Sequence, residues 1–140
     1  MPTLTTQKVW DNHPYPNDPC DKATFTNQCA IRMGVALAGA GLSLSSFKGA
    51  RCWLKHTPGH ILRAQELANW LVNQTTAVGT VVKYKKKVSS SDFASKKGIV
   101  FIKDGWGATD HIDVWNGSQL KAGSPSYFAL GKEVWFWELS

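Results

Sequence analysis

Cys29 is the residue of this chain best placed for nucleophilic chemistry. It follows the polar triplet Thr26-Asn27-Gln28 and opens a long apolar run, where a loop becomes a helix. Thr26 or Asn27 can act as N-cap, accepting a hydrogen bond from an orphan N–H of the first turn. The positive end of the helix dipole favours thiolate over thiol in that turn. The competing reading is a small buried hydrophobe, as most free cysteines are. A cysteine nucleophile also needs a base within hydrogen-bond reach, oriented by a third polar group. Of the four histidines, His111 is the candidate base, because it opens a strand that otherwise reads as core. A structural histidine is the alternative there.

Helices must carry the cysteine and strands the histidine. Residues 27–40 predict a first helix, with Ile31, Val35, Ala38 and Leu42 at helical spacing and apolar residues filling most of the rest. A helix apolar on nearly every side is a buried one. Thr57 as N-cap and Pro58 at the first helical position predict a second helix, striped by Ile61, Ala64, Leu67, Ala68 and Leu71. His56 and His60 at its start read as structural or solvent-facing. Residues 1–25 are rich in Pro and Asn and predict an irregular, extended arm, with His13 a loop histidine.

The last third is strand-like. Gly98–Lys103 is a continuous β-branched apolar run, followed by a turn at Asp104–Gly107. His111–Trp115 is the next strand, closed by the turn signal Asn116-Gly117, and Glu133–Leu139 is a last strand apolar on both faces. Strand alternation puts His111, Asp113 and Trp115 on one face, with Ile112 and Val114 on the other. If Ile112 and Val114 pack inward, His111 faces the opposite side, where the first helix could lie. Ser89–Asp92 is a turn or the cap of a short helix reaching Ala94. Helices followed by an antiparallel meander make an α+β layout, with residues 1–140 as a single domain.

Composition narrows the partners. The net charge of +6 and the seven tryptophans suit an anionic partner and a core or groove lined with indoles. Lys83-Tyr84-Lys85-Lys86-Lys87 is a solvated basic segment or a contact to an anionic polymer. The start of the chain predicts no signal peptide, and no stretch approaches the ~20 apolar residues of a membrane span. Three cysteines leave at least one thiol unpaired; a Cys20–Cys52 disulfide and three reduced thiols are the alternatives. No CxxC or HExxH occurs, so neither a metal nor another cofactor is expected.

The stretches Asn27–Gly34, Gly98–Phe101, His111–Gly117 and Val134–Glu138 resemble the type VI secretion amidase effectors of the fourth group. These are bacterial toxins with a papain-like, NlpC-type fold. The likeness runs from about Asn27 to the C-terminal end. It implies a cysteine amidase delivered into a rival's periplasm without a signal peptide. The bond cut would be the D-glutamyl–meso-diaminopimelate amide of peptidoglycan stem peptides. The family's cysteine matches Cys29 and its histidine His111. The resemblance further implies the type VI secretion apparatus and a cognate immunity protein as partners.

One departure stands out. The family carries an aspartate shortly after the histidine strand, whereas Lys121-Ala122-Gly123-Ser124-Pro125-Ser126 has no acid. The third member is therefore unknown: a serine, Asn116 or a backbone carbonyl could orient His111, or the pair could act as a dyad. Asp113 stands about 7 Å along the strand from His111, a poor fit unless the strand bends. Asp110, where the family usually has glycine, could raise the pKa of His111. Two other classes compete with the amidase. One is a basic nucleic-acid-binding module, which lacks the motifs of the common modules; the other is a cysteine protease acting on proteins.

Overall fold

The structure is a computed structural model, and it describes residues 2–17, 19, 28–51, 60–107 and 109–140. The proposed caps Thr26, Asn27 and Thr57, the Cys20–Cys52 pair, His56 and Pro58 lie outside the described residues.

Among the described residues, four helices precede or flank a four-stranded sheet. They are α1 (Thr6–Asn12), α2 (Cys29–Gly39), α3 (Ala64–Leu71) and the single turn α4 (Thr75–Val78). The strands are β1 (Val82–Tyr84), β2 (Gly98–Trp106), β3 (Thr109–Trp115) and β4 (Glu133–Glu138). All pairings are antiparallel, but the order is β1-β4-β2-β3. The expected meander is thus corrected: β4 enters between β1 and β2. Its Val134–Trp137 run is buried on both faces, which suits a central position.

The arm also departs from expectation, because residues 6–12 are helical. Thr5 caps α1 by accepting from the Lys8 N–H at 3.2 Å, and Thr6 and Val9 turn inward. The second predicted helix begins later than expected, at Ala64, so His60 lies outside it. Ile61 instead forms a β-bridge with Arg51 and is fully buried. The short helix after Ser89 is a 3₁₀ turn, Ser90–Phe93, held by a capping box between Ser89 and Asp92. β2 runs on through Asp104 to Trp106 where a turn was expected, with its register to β3 shifting between Ile102 and Trp106.

Two cores sandwich the sheet. On one face Ile99, Phe101, Ile112, Val114, Trp135 and Trp137 pack under α2 and α3. On the other, Val100, Ile102, Trp115, Val134 and Phe136 gather around Phe93 and Phe128. Phe93 stacks on Phe128 at 4.8 Å between ring centroids, and the Trp115 indole N–H donates to the Phe93 carbonyl at 3.0 Å. The α2 helix therefore lies on the Ile112/Val114 face, not on the face of His111. The register pairs His111 with Ile102 and Asp113 with Val100, so both point away from α2. β3 is the last strand of the sheet, and its edge is where the two faces can meet.

Candidate active site

Cys29 is the first residue of α2 and is 7% exposed. Its thiol is directed at the Asp110 carbonyl oxygen, 3.8 Å away, at the start of β3. The end of the helix thus reaches the outer strand one residue before His111. His111 is flanked by Cys29 and by Asp113. Its Nε2 lies 2.8 Å from Asp113 Oδ2. An ionised carboxylate can only accept, so Nε2 donates, which leaves Nδ1 for the cysteine.

Asp113 was expected to be too far along the strand. The geometry corrects this: residues i and i+2 share a face, and the two side chains lean together across the gap. The carboxylate is fully buried and held firmly. The Val114 N–H donates to Oδ1 at 2.8 Å, and the Ala122 N–H donates to Oδ1 and Oδ2 at 3.3 and 3.0 Å. The segment that lacks an acid thus supplies a backbone N–H to the acid two residues after the histidine. The other candidates are engaged elsewhere. Asn116 Oδ1 accepts from Ser118 and Gln119 N–H groups at 2.9 and 2.8 Å, and Ser124 and Ser126 hydroxyls pair at 3.0 Å.

Burial alone would lower the pKa of His111. The hydrogen bonds to Asp113 and Cys29, together with their charges, overcome it and push the value up to about 9. Asp110 takes no part in this. Its carboxylate turns to the β2 irregularity and accepts from the Asp104 N–H at 2.8 Å, where Asp104 has a positive φ of 53°. Burial raises the pKa of Asp110, while the Asp104 N–H opposes that shift.

An aromatic wall borders the histidine. Tyr127 stands edge-on to His111 at 5.2 Å, and Trp106, 38% exposed, edge-on to Tyr127 at 4.9 Å. Gly123 permits this closeness: a Cβ there would lie 2.6 Å from the Tyr127 ring and 3.2 Å from His111 Nε2. Sequence reasoning missed this wall, since nothing in the spacing of Trp106, Gly123 and Tyr127 brings them together. Among the described residues no cluster of His, Cys, Asp and Glu could hold a metal ion. A concavity of about 1060 Å³ lies elsewhere, between the far half of α2 and residues 41–51, and includes neither Cys29 nor His111.

A helix-start cysteine, a strand histidine and an antiparallel sheet make this a papain-like fold of the NlpC/P60 type, and solved structures of Tae4 effectors share it. The effector Tae4 of Salmonella Typhimurium, solved as an effector–immunity complex with Tai4, has a TM-score of 0.75 at 22% identity, over 98% of this chain and 99% of that one. The Tae4–Tai4 complex from Enterobacter cloacae gives 0.73 at 22% identity over 98% and 99%. Tae4 from Enterobacter cloacae alone gives 0.72 at 19% over 98% and 97%. No curated protein matches the sequence. The profile of the type VI secretion system amidase effector protein 4 family, Tae4, matches residues 25–137, and the chain belongs to that family. It is thereby a peptidoglycan amidase effector of the cysteine hydrolase class. No helix among the described residues is long and apolar enough to cross a membrane.

Proposed function

We propose that Cys29, His111 and Asp113 form the catalytic triad of this amidase and that its substrate bond is the D-glutamyl–meso-diaminopimelate amide. The observation that carries the assignment is the line from the α2 terminus through His111 to Asp113, with His111 hydrogen-bonded to the carboxylate and flanked by the thiol on its other side. Cys29 attacks the amide carbonyl as the thiolate, with His111 as the imidazolium. The oxyanion is held by N–H groups of the first turn of α2, which a helix leaves without intrahelical acceptors. His111 then protonates the leaving amine, the C–N bond breaks, and a thioester to Cys29 remains. His111, now neutral, takes a proton from water, and the hydroxide equivalent releases the carboxylate product. Asp113 holds the ring in the tautomer and orientation that keep Nδ1 on the sulfur.

The surroundings suit a wall polymer. The protein carries a net charge of +6 and the stem peptides carry carboxylates. Part of the basic segment has local partners: Lys83 lies over the Trp135 ring at 4.0 Å, and Lys87 donates to the Ala129 carbonyl at 3.1 Å. By family membership the site of action is the periplasm of a target cell, delivery is by the type VI apparatus, and a cognate immunity protein blocks the enzyme in its producer. Digestion of purified peptidoglycan, with products read by mass spectrometry, tests the activity and names the bond. Wild type should release stem peptides cut between the second and third residues. No product from wild type, or undiminished product from Cys29→Ala, would overturn the assignment.

A further inference from the structure

His13 lies on the far side of Asp113 from His111. It follows α1 directly, with its own N–H donating to the Trp10 carbonyl at 3.2 Å. The side chain is fully buried, although the sequence suggested a loop histidine. Nδ1 accepts from the Tyr15 N–H at 3.2 Å, so the ring proton of the neutral form sits on Nε2. That Nε2 has no hydrogen-bond partner and stands 3.9 Å from Asp113 Oδ1, the oxygen not bonded to His111. A buried N–H without an acceptor is costly, so an apolar residue would serve the core better at this position.

The charges around His13 favour a neutral donor. Asp113 and His111 face it from β3, Arg32 from α2 and Lys121 from the segment after β3. Burial lowers its pKa to about 4; Asp113 opposes this, and Arg32, Lys121 and His111 reinforce it. A cation at His13 would compete with His111 for the same carboxylate. A neutral Nε2–H can steady that carboxylate without doing so.

We propose that His13 is a positioning residue for the amidase, its Nε2–H bracing Asp113 Oδ1 so that Oδ2 stays on His111. This rests on the triad proposed above. It gives the segment around α1 a part in the chemistry that neither the cysteine helix nor the sheet supplies.

The test is the pH dependence of Cys29 alkylation by iodoacetamide in the full chain, read at the Cys29 peptide by mass spectrometry. In His13→Leu alkylation at neutral pH should slow about threefold or more, because a loosened His111 holds the thiolate less well. Muropeptide kcat should fall about tenfold with KM little changed, the scale seen when the partner of an oriented histidine is removed. His13→Gln, whose amide N–H can reach the same oxygen, should restore both. A His13→Leu profile superimposed on wild type, or a His13→Gln that behaves like His13→Leu, would overturn the role. If the leucine variant does not fold, the wild-type imidazole ¹⁵N–¹H spectrum decides: a proton on Nδ1 of His13 at pH 7 overturns it, and one on Nε2 supports it. Alkylation needs no substrate, so a wild type that alkylates as expected yet cleaves no muropeptide would refute the activity and leave the His13 test standing.

Discussion

Asp113 Oδ2 accepts from His111 Nε2 at 2.8 Å across the two-residue repeat of a single strand. Histidine and acid therefore share one rigid element, and their spacing is fixed by the strand itself, with no loop in between. Ala122 then closes the site from the next segment with its backbone N–H. A carboxylate held by the Val114 and Ala122 amides has little freedom to swing away from the ring.

Asp113→Asn keeps the volume but offers His111 the wrong partner. The tautomer then inverts, and kcat should fall by about 100-fold or more with KM changing far less. Steady-state kinetics on a purified muropeptide check this. A loss confined to KM would mean that Asp113 shapes the groove and does not orient the ring.

The pKa of His111, raised from 6.5 to about 9, sets a stability limit. A raised folded-state value means that this contribution is fully present below pH 6.5 and is lost as pH climbs through about 9. His13 works in the opposite sense. Its folded value of about 4 gives stability that is present above 6.5 and lost as pH falls toward 4. Each shift corresponds to something on the order of 3 kcal/mol. Urea midpoints should therefore peak near pH 6.5 and fall on both sides. A flat profile from pH 5 to 9 would refute both assignments.

Activity should follow the same imidazolium. Because the His111 pKa is about 9, the alkaline limb of kcat/KM should lie near pH 9 and not near the ordinary histidine value. In Asp113→Asn that limb should move to lower pH. A wild-type limb close to 6.5 would show that the pair is uncharged in the working enzyme.

Gly123→Ala should separate activity from stability. The added Cβ would meet the Tyr127 ring at 2.6 Å and His111 Nε2 at 3.2 Å, so both rings must shift. We expect about a tenfold loss of kcat, since small displacements at reacting groups are costly. The thermal midpoint should drop only slightly, because Tyr127 can swing outward. Unchanged kcat would mean that the wall is slack.

Phe93→Ala should do the reverse. Phe93 is fully buried and packs on Phe128, Phe136 and Tyr84 at 4.8, 5.0 and 5.2 Å between centroids. Its removal should cost about 3–5 kcal/mol of stability. The turnover of molecules still folded should be nearly normal, because the rings Phe93 packs on are not the ones that border His111. Denaturant unfolding alongside kinetics at low temperature distinguishes the two effects.

The parts written in local pattern were legible in the sequence. The run before Gly39, the β-branched stretch after Gly98 and the apolar ends of β3 and β4 all announce their elements, and Cys29 and His111 stand where those elements place them. What failed to show was long-range. Nothing in the chain says that β4 inserts beside β2, because pairing order is decided by which strands are buried on both faces. The helix α1 has one turn of capping and too few apolar residues to reveal a period. Asp113 was misjudged because backbone rise was weighed without side-chain reach. His13 was misjudged because burial of a loop residue depends on what packs over it.

The double burial of β2 and β4 has a cost before folding is complete. Gly98–Ile102 and Val134–Trp137 are uncharged, apolar and rich in β-formers, which is the composition of segments that self-associate when exposed. They become partners only when segments more than thirty residues apart meet, so both are exposed together in the unfolded chain. Charged residues stand at each end: Lys96 and Lys97 before the first run and Lys103 after it, Lys132 and Glu133 before the second and Glu138 after it. These act as gatekeepers that oppose stacking of identical chains. Refolding yield should therefore fall steeply with protein concentration, and neutralising Lys97 and Lys103 together should make that fall steeper while leaving the folded enzyme's turnover unchanged.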